Sequence, residues 1–355
     1  MYAIRTTAAI RTSTAIRTTT AFWLACVLLT CNFTFAQDST KRPASNYNWA
    51  TPTLGGIQFW TDVRIEGGWR IQHNTYFGHY RLLDDSNTRQ AWGGQEACVA
   101  ELESQIKTGT VKRYSGKVVF LLHGLCRSSK CMQPMAEHLE EQGYQPILFR
   151  YASSRKGVAD HAGHLQLVIA QLPPEVTEIN FVAHSLGNIV IRHYVADCNK
   201  SRTLELDTRI NRMVMLGPPN QGSRMARLLK HSAAFKLIAG ASGAELSLGW
   251  DQLSKNLATP EFEFGIIAGG YGSEEAPMSN ILLPGQDDFT VSEQETMLVG
   301  ADDFLVKPLL HTSMMHQPTV LESTTRFLQQ GFFVAKDKMR PIDSLTPDET
   351  AKAKE

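Results

Sequence analysis

The sequence predicts an α/β protein with a mostly parallel central sheet covered by helices on both faces. Three observations carry that expectation. From Lys117 onward, short apolar runs alternate with amphipathic stretches of helical period. The runs Val118–Leu122, Ile147–Tyr151, Ile179–Ala183, Met213–Leu216, Phe264–Ala268 and Phe304–Leu310 are apolar through most of their length, as strands buried on both faces are. A chain of 355 residues with 43% hydrophobic and 20% charged side chains can fill a sizeable core, and its composition excludes the disordered and collagen-like classes.

The first elements stand outside that pattern. Residues 1–36 hold Arg5, Arg11 and Arg17 and no acid, repeat an Ala/Ile/Arg/Thr unit, and end in the apolar run Ala21–Leu29. That is the layout of an export signal, with Thr34-Phe35-Ala36 supplying small residues for cleavage before Gln37. The run is shorter than the roughly 20 residues of a membrane span, and an uncleaved N-terminal anchor is the alternative. Residues 37–48 read as a polar linker. Val63 and Ile65, the Gly67-Gly68 turn, then Trp69 and Ile71 give a hairpin pattern, and Val99, Leu102 and Ile106 follow helical spacing. Residues 49–115 are therefore expected to form a hairpin-and-helix extension packed on a core spanning 116–335.

Within the core, Met132, Met135 and Leu139 mark one helix, ended by Gly143, and Leu165, Val168, Ile169 and Leu172 another, stopped by Pro173-Pro174. Val320, Thr324, Phe327 and Leu328 mark the last, ended by Gly331. The apolar segment 224–262 reads equally as packed helices or as a lid and acyl-binding wall. The charged tail 336–355 has no apolar period and is expected to be disordered.

Charge narrows the partners. The 35 basic and 35 acidic side chains cancel, and without the three leader arginines 32 face 35. No nucleic-acid partner is expected. Cys98, Cys126, Cys131 and Cys198 remain after the leader, enough for one or two disulfides or for buried thiols. His161 and His164 sit three apart on a helix with no third ligand, so no metal site is expected and both read as surface or boundary residues.

The chemistry concentrates in Ala183-His184-Ser185-Leu186-Gly187, directly after one strand and before the helical stretch Asn188–Cys198. A serine on so sharp a strand-to-helix turn needs small neighbours two residues away, which Ala183 and Gly187 provide. Ser185 is thus the candidate nucleophile. A serine requires a base and an oxyanion site. His123-Gly124-Leu125 follows the first core strand, where the backbone N–H groups of Leu125 and Leu186 can form that site, and His123, Gly124, Arg127 and His184 are placed as substrate contacts. The base belongs at the end of a late strand, where His311 closes the run Phe304–Leu310, with His316 as competitor. Gln286-Asp287-Asp288-Phe289-Thr290-Val291 offers the orienting acid, Asp288 before Asp287, whereas Asp302 and Asp303 precede their strand and read as solvated.

The order Ser185, Asp288, His311 resembles that of the α/β-hydrolase family, among whose esterases and lipases an Ala-His-Ser-x-Gly elbow occurs. Asp288-Phe289-Thr290-Val291 resembles the family's Asp-Gly-Thr-Val acid turn, with Phe289 in place of glycine. Leu216–Ser223 is similar to its Pro-x-x-Gly-Ser segment, and the likeness runs from about Lys117 to Gly331. Residues 49–115 carry no transferable motif. The resemblance implies an α/β-hydrolase fold and an enzyme that cleaves a small-molecule or lipid ester, including one at a membrane surface, without a cofactor, and the leader adds the expectation of export. An acyltransferase, thioesterase or amidase would use the same triad, and a non-catalytic binding protein the same scaffold.

Overall fold

The computed structural model describes residues 51–52, 58–229, 233–270 and 291–345. The export signal, the linker, Asp287 and Asp288 lie outside the described residues. Among the described residues no helix is long and apolar enough to cross a membrane.

The N-terminal region is a sheet of β1 (Thr51–Pro52), β2 (Trp60–Glu66), β3 (Trp69–Asn74), β4 (Tyr80–Leu83) and β5 (Thr88–Gly93), in the order β1-β5-β4-β3-β2 with every pairing antiparallel. The expected hairpin is β2–β3, pairing Glu66 with Trp69 across Gly67-Gly68. On one face Val63, Ile71, Leu82 and Ala91 pack against Cys98 and Leu102 of helix α1 (Gln95–Lys107). The same strands also bury polar groups. Asp62, with no exposed surface, accepts from Arg70 Nη1 at 3.2 Å and Gln72 Nε2 at 2.7 Å, and Gln72 Oε1 accepts from Arg81. Burying these groups is tolerable only because each is paired.

The large sheet comprises β6 (Gly116–Leu122), β7 (Gln145–Phe149), β8 (Val176–His184), β9 (Ile210–Leu216), β10 (Glu263–Gly269) and β11 (Asp303–Lys307), ordered β11-β10-β9-β8-β6-β7 and parallel throughout. Alternation along each strand sends residues to opposite faces. Val118, Phe120, Ile179, Phe181, Met213 and Ile266 join a cluster with Leu165 and Val168 of α3 (Val158–Ile169) and Ile189 and Val190 of α4 (Leu186–Lys200). Val119, Leu121, Val182, Val214 and Ile267 face Met135 and Leu139 of α2 (Gln133–Glu141) and Val320 and Phe327 of α9 (Pro318–Gln330). Helices thus cover both faces, as the apolar strands require.

Segment 224–262 forms α5 (Arg224–Leu229), α6 (Ala233–Ser247) and α7 (Trp250–Leu253), with α6 kinked at Gly240; α8 (Glu293–Thr296) follows later. Four expectations are corrected. The last strand stops at Lys307, so His311 lies on a loop beyond it. Asp303 is buried, not solvated: its carboxylate accepts the backbone N–H groups of Phe333 at 2.8 Å and Arg340 at 2.9 Å. Those bonds, and Ile342 N–H to Ala301 O at 2.9 Å, hold residues 336–345 against the core, so that part of the tail is ordered. His161 is fully buried rather than at the surface. Among the described residues Cys98, Cys126, Cys131 and Cys198 form no disulfide with one another.

Candidate active site

The sheet order itself marks where a site can form. β6 lies between β7 and β8, so the chain leaves β6 toward one edge and returns on its other side. At such a reversal the loops beyond the strand ends splay apart and leave a crevice. Gly124 follows β6 and Ser185 follows β8 at this crevice, with Leu122 paired to Ala183 in the strands below.

Ser185 occupies a left-handed backbone conformation, φ 52° and ψ −120°, which costs of order 1–3 kcal/mol for a residue with a Cβ and persists only where its surroundings enforce it. They do. Its N–H donates to Leu216 O at 2.9 Å, anchoring the turn to the end of β9, and the Asn188 side chain donates to Ser185 O at 3.0 Å. Gly187 packs so tightly that a Cβ there would lie 2.8 Å from Leu122 Cβ and 2.9 Å from Leu122 O. Gly124 approaches likewise, with a Cβ position 3.1 Å from Ser185 Cβ. The turn delivers Ser185 to the N-terminal end of the fifteen-residue helix α4, whose dipole favours developing negative charge.

A cavity of about 260 Å³ opens at this point. Gly124, Leu125, Arg127, His184, Ser185 and His311 line one part; Pro219, Ser223, Ala226, Ala239, Leu246 and Val291 form the rest. His311 therefore shares a cavity with Ser185, whereas His316, exposed in the turn Met314–His316, is not among the lining residues. No acceptor among the described residues takes the Leu125 N–H. The Leu186 N–H belongs to the first turn of α4, where the helix offers it no partner. Val291, the last residue of the acidic motif, reaches the cavity wall.

One substrate-contact expectation is corrected. His123 is 1% exposed and absent from the cavity wall; its ring stacks on Tyr151 with centroids 4.3 Å apart, and Nδ1–H donates to Gly124 O at 2.9 Å. Burial pushes its pKa down to about 4, so it is neutral at pH 7. The Tyr151 hydroxyl donates to His123 O and secures the same turn. His184 does touch the cavity, but its Nε2–H is committed to His311 O at 2.9 Å, and burial first, then the neighbouring His311, hold its pKa well below the usual histidine range. It supports the histidine loop through Nε2 and lines the cavity as well.

Residues 113–217, from the approach to β6 through the end of β9, match the model of a family described as "Putative serine esterase (DUF676)". The matched stretch holds the parallel strands β6, β7, β8 and β9 and the Ser185 turn between β8 and α4. No curated protein matches the chain. Among solved structures, the chain is similar to the mature Bacillus licheniformis lipase BlEst2, at 18% identity over 61% of this chain and 91% of that one, TM-score 0.44. The metagenomic carboxyl esterase MGS0156 is 19% identical over 61% and 77%, TM-score 0.47. Phospholipase PlaB from Legionella pneumophila is 17% identical over 61% and 60%, TM-score 0.45.

Sequence reasoning reached the elbow and the oxyanion turn and missed what braces them. Tyr151, Ser153 and Gln58 carry no motif; their only sequence signal is polarity beside an apolar strand or a turn. Among the described residues no group of His, Cys, Asp and Glu side chains could hold a metal ion.

Proposed function

We propose that the chain is an exported serine hydrolase that cleaves a carboxylic ester through an acyl-enzyme. The observation that carries this reading is the strained Ser185 sharing one cavity with His311 beside two unclaimed backbone N–H groups. His311 takes the Ser185 proton as the hydroxyl oxygen attacks the acyl carbonyl, and the Leu125 and Leu186 N–H groups receive the oxyanion. Protonated His311 then gives its proton to the leaving alcohol. Water, activated by the same imidazole, attacks the acyl-enzyme and restores Ser185. Asp288 is assigned to orient His311, on the strength of its motif and its place in chain order.

The wall of Ala226, Ala239, Leu246 and Val291 is apolar and supports an acyl chain, in line with 224–262 as an acyl-binding wall. The lipase, esterase and phospholipase titles of the similar structures agree with a lipid or carboxylic ester as substrate. Export rests on the cationic, apolar leader ahead of Gln37.

A fluorophosphonate probe should label wild type and leave Ser185→Ala unlabelled, while ester turnover falls on the order of 10⁴–10⁶-fold in the variant. Labelling that persists moves the nucleophile elsewhere. Nitrophenyl esters from acetate to palmitate, run beside thioester and amide analogues, should favour esters longer than acetate; strict acetate preference removes the acyl wall, and faster thioester or amide cleavage reassigns the bond. N-terminal sequencing of the exported protein should begin at Gln37.

A further inference from the structure

Gln58 lies just before β2, at the start of the N-terminal sheet and outside every motif in the chain, yet its side chain ends at the turn that borders the cavity. It holds a left-handed backbone, φ 67°, uncommon for a residue with a Cβ. Its carboxamide is used on both sides. Nε2–H donates to Arg127 O at 2.9 Å and to Ser153 Oγ at 3.1 Å; Oε1 accepts from Ser154 N–H at 2.9 Å and from Ser154 Oγ at 2.9 Å. Ser153 Oγ in turn accepts the Cys126 N–H at 3.0 Å.

Those contacts seize the turn on the residues that follow Leu125. Arg127 N–H to Gly124 O at 3.2 Å closes the turn, and Cys126 within it is left-handed, φ 57°. Gln58 fixes its far carbonyl directly and, through Ser153, its Cys126 N–H. Because Ser153 claims the Cys126 N–H, the adjacent Leu125 N–H is the donor left for the cavity. Oxyanion donors work only when held within about 0.5 Å of the developing charge, so such a brace acts on the transition state more than on substrate binding.

Resting on the serine-hydrolase reading above, we propose that Gln58 is a positioning residue for the oxyanion site: a side chain of the turn leading into β2 holds the Gly124–Arg127 turn in the form that presents the Leu125 N–H. The N-terminal region thereby takes part in catalysis without touching substrate.

The test compares Gln58→Glu, Gln58→Ala and Ser153→Ala in the full chain, using nitrophenyl butyrate turnover, fluorophosphonate titration of active sites and thermal unfolding. Glutamate keeps the size and the acceptor toward Ser154 but cannot donate to Arg127 O. Per titrated site, kcat of Gln58→Glu and Gln58→Ala should fall by about 10–100-fold with KM within about twofold. Gln58→Glu should unfold near the wild-type temperature, and adding Ser153→Ala to it should cost less than the product of the two single effects. A Gln58→Glu enzyme within about threefold of wild-type kcat, or a loss confined to KM or to the titratable fraction, overturns the proposal. If both Gln58 variants fail to fold, Ser153→Ala decides by the same split. A wild type that neither turns over ester nor takes the probe refutes the hydrolase reading itself; an active wild type with an unimpaired Gln58→Glu refutes only the brace.

Discussion

The two sheets of this molecule are held by different means. In the large parallel sheet most buried strand residues are apolar on both faces, Asn180, His184 and Asp303 being polar, and Val118, Val119, Phe120, Leu121 and Leu122 have no exposed surface. The small antiparallel sheet buries one apolar face on α1 and, on the same strands, the charged and amide groups of Asp62, Arg70, Gln72 and Arg81. Dispersion and water exclusion build the first; paired hydrogen bonds specify the second. The pairing also joins the two, because Asp62 Oδ2 accepts the Arg150 N–H at 2.8 Å just beyond β7, and Asp62 N–H donates to Arg150 O at 2.9 Å. An apolar contact tolerates sliding, whereas a network of directional bonds fixes register, which suits a sheet that has to bring Gln58 to a turn near the cavity.

That contrast can be broken most directly by deletion on each side. Asp62→Ala strands Arg70 and the Arg150 N–H and should lower unfolding free energy by about 3–5 kcal/mol. Phe120→Ala, which opens a void between β6 and its covering helices, should lower it by a similar 3–5 kcal/mol, about as much as the charged site. Urea unfolding of both variants measures this; an Asp62→Ala loss under about 1 kcal/mol means the polar network is dispensable and the comparison fails.

Acid separates the sheets by sign. Near the large sheet, burial lowers His123 to about 4 and His161 to about 3, below the unfolded value of 6.5. The native state then binds fewer protons than the unfolded chain, so this stability is full above pH 6.5 and is lost as pH falls toward 4, on the order of 3 kcal/mol for His123 alone. In the small sheet burial raises Glu66, so its contribution runs the other way, present below its unfolded pKa of 4.5 and lost as pH rises through the folded value. Replacing His161 by Leu should flatten the acid limb between pH 6.5 and 4; an unchanged limb places the acid sensitivity elsewhere.

Smaller effects sharpen the picture at the site and at the rim. Gly187→Ala must displace Leu122 or the elbow, costing about 1–3 kcal/mol, and the misplaced nucleophile should lower kcat about 100-fold. Wild-type turnover in that variant would mean the elbow has slack that its packing denies. Glu103→Ala removes the rim pair with Arg64, whose side chains are 15% and 43% exposed, and should change stability by less than about 1 kcal/mol in a salt-dependent way.

The sequence by itself determined the large sheet and the elbow. Strands buried on both faces must be apolar throughout, so all the predicted core runs reappear as β6 to β11, and a strained serine needs small neighbours that leave a local pattern. Only the tertiary structure decided the rest. β4 is only four residues long and β5 holds only Ala91 and Trp92 as apolar positions, and Asp62, Gln72, Arg81 and Asp303 look solvated until partners from other elements surround them. It also chose between 311 and 316 for a place on the cavity wall, and removed His123 from that wall by burying its ring against Tyr151 and committing its Nδ1–H to Gly124 O. The physical reason is range: burial and backbone strain are written in neighbouring residues, whereas a hydrogen bond such as Gln58 to Arg127, 69 residues apart, has no local trace until folding supplies the acceptor.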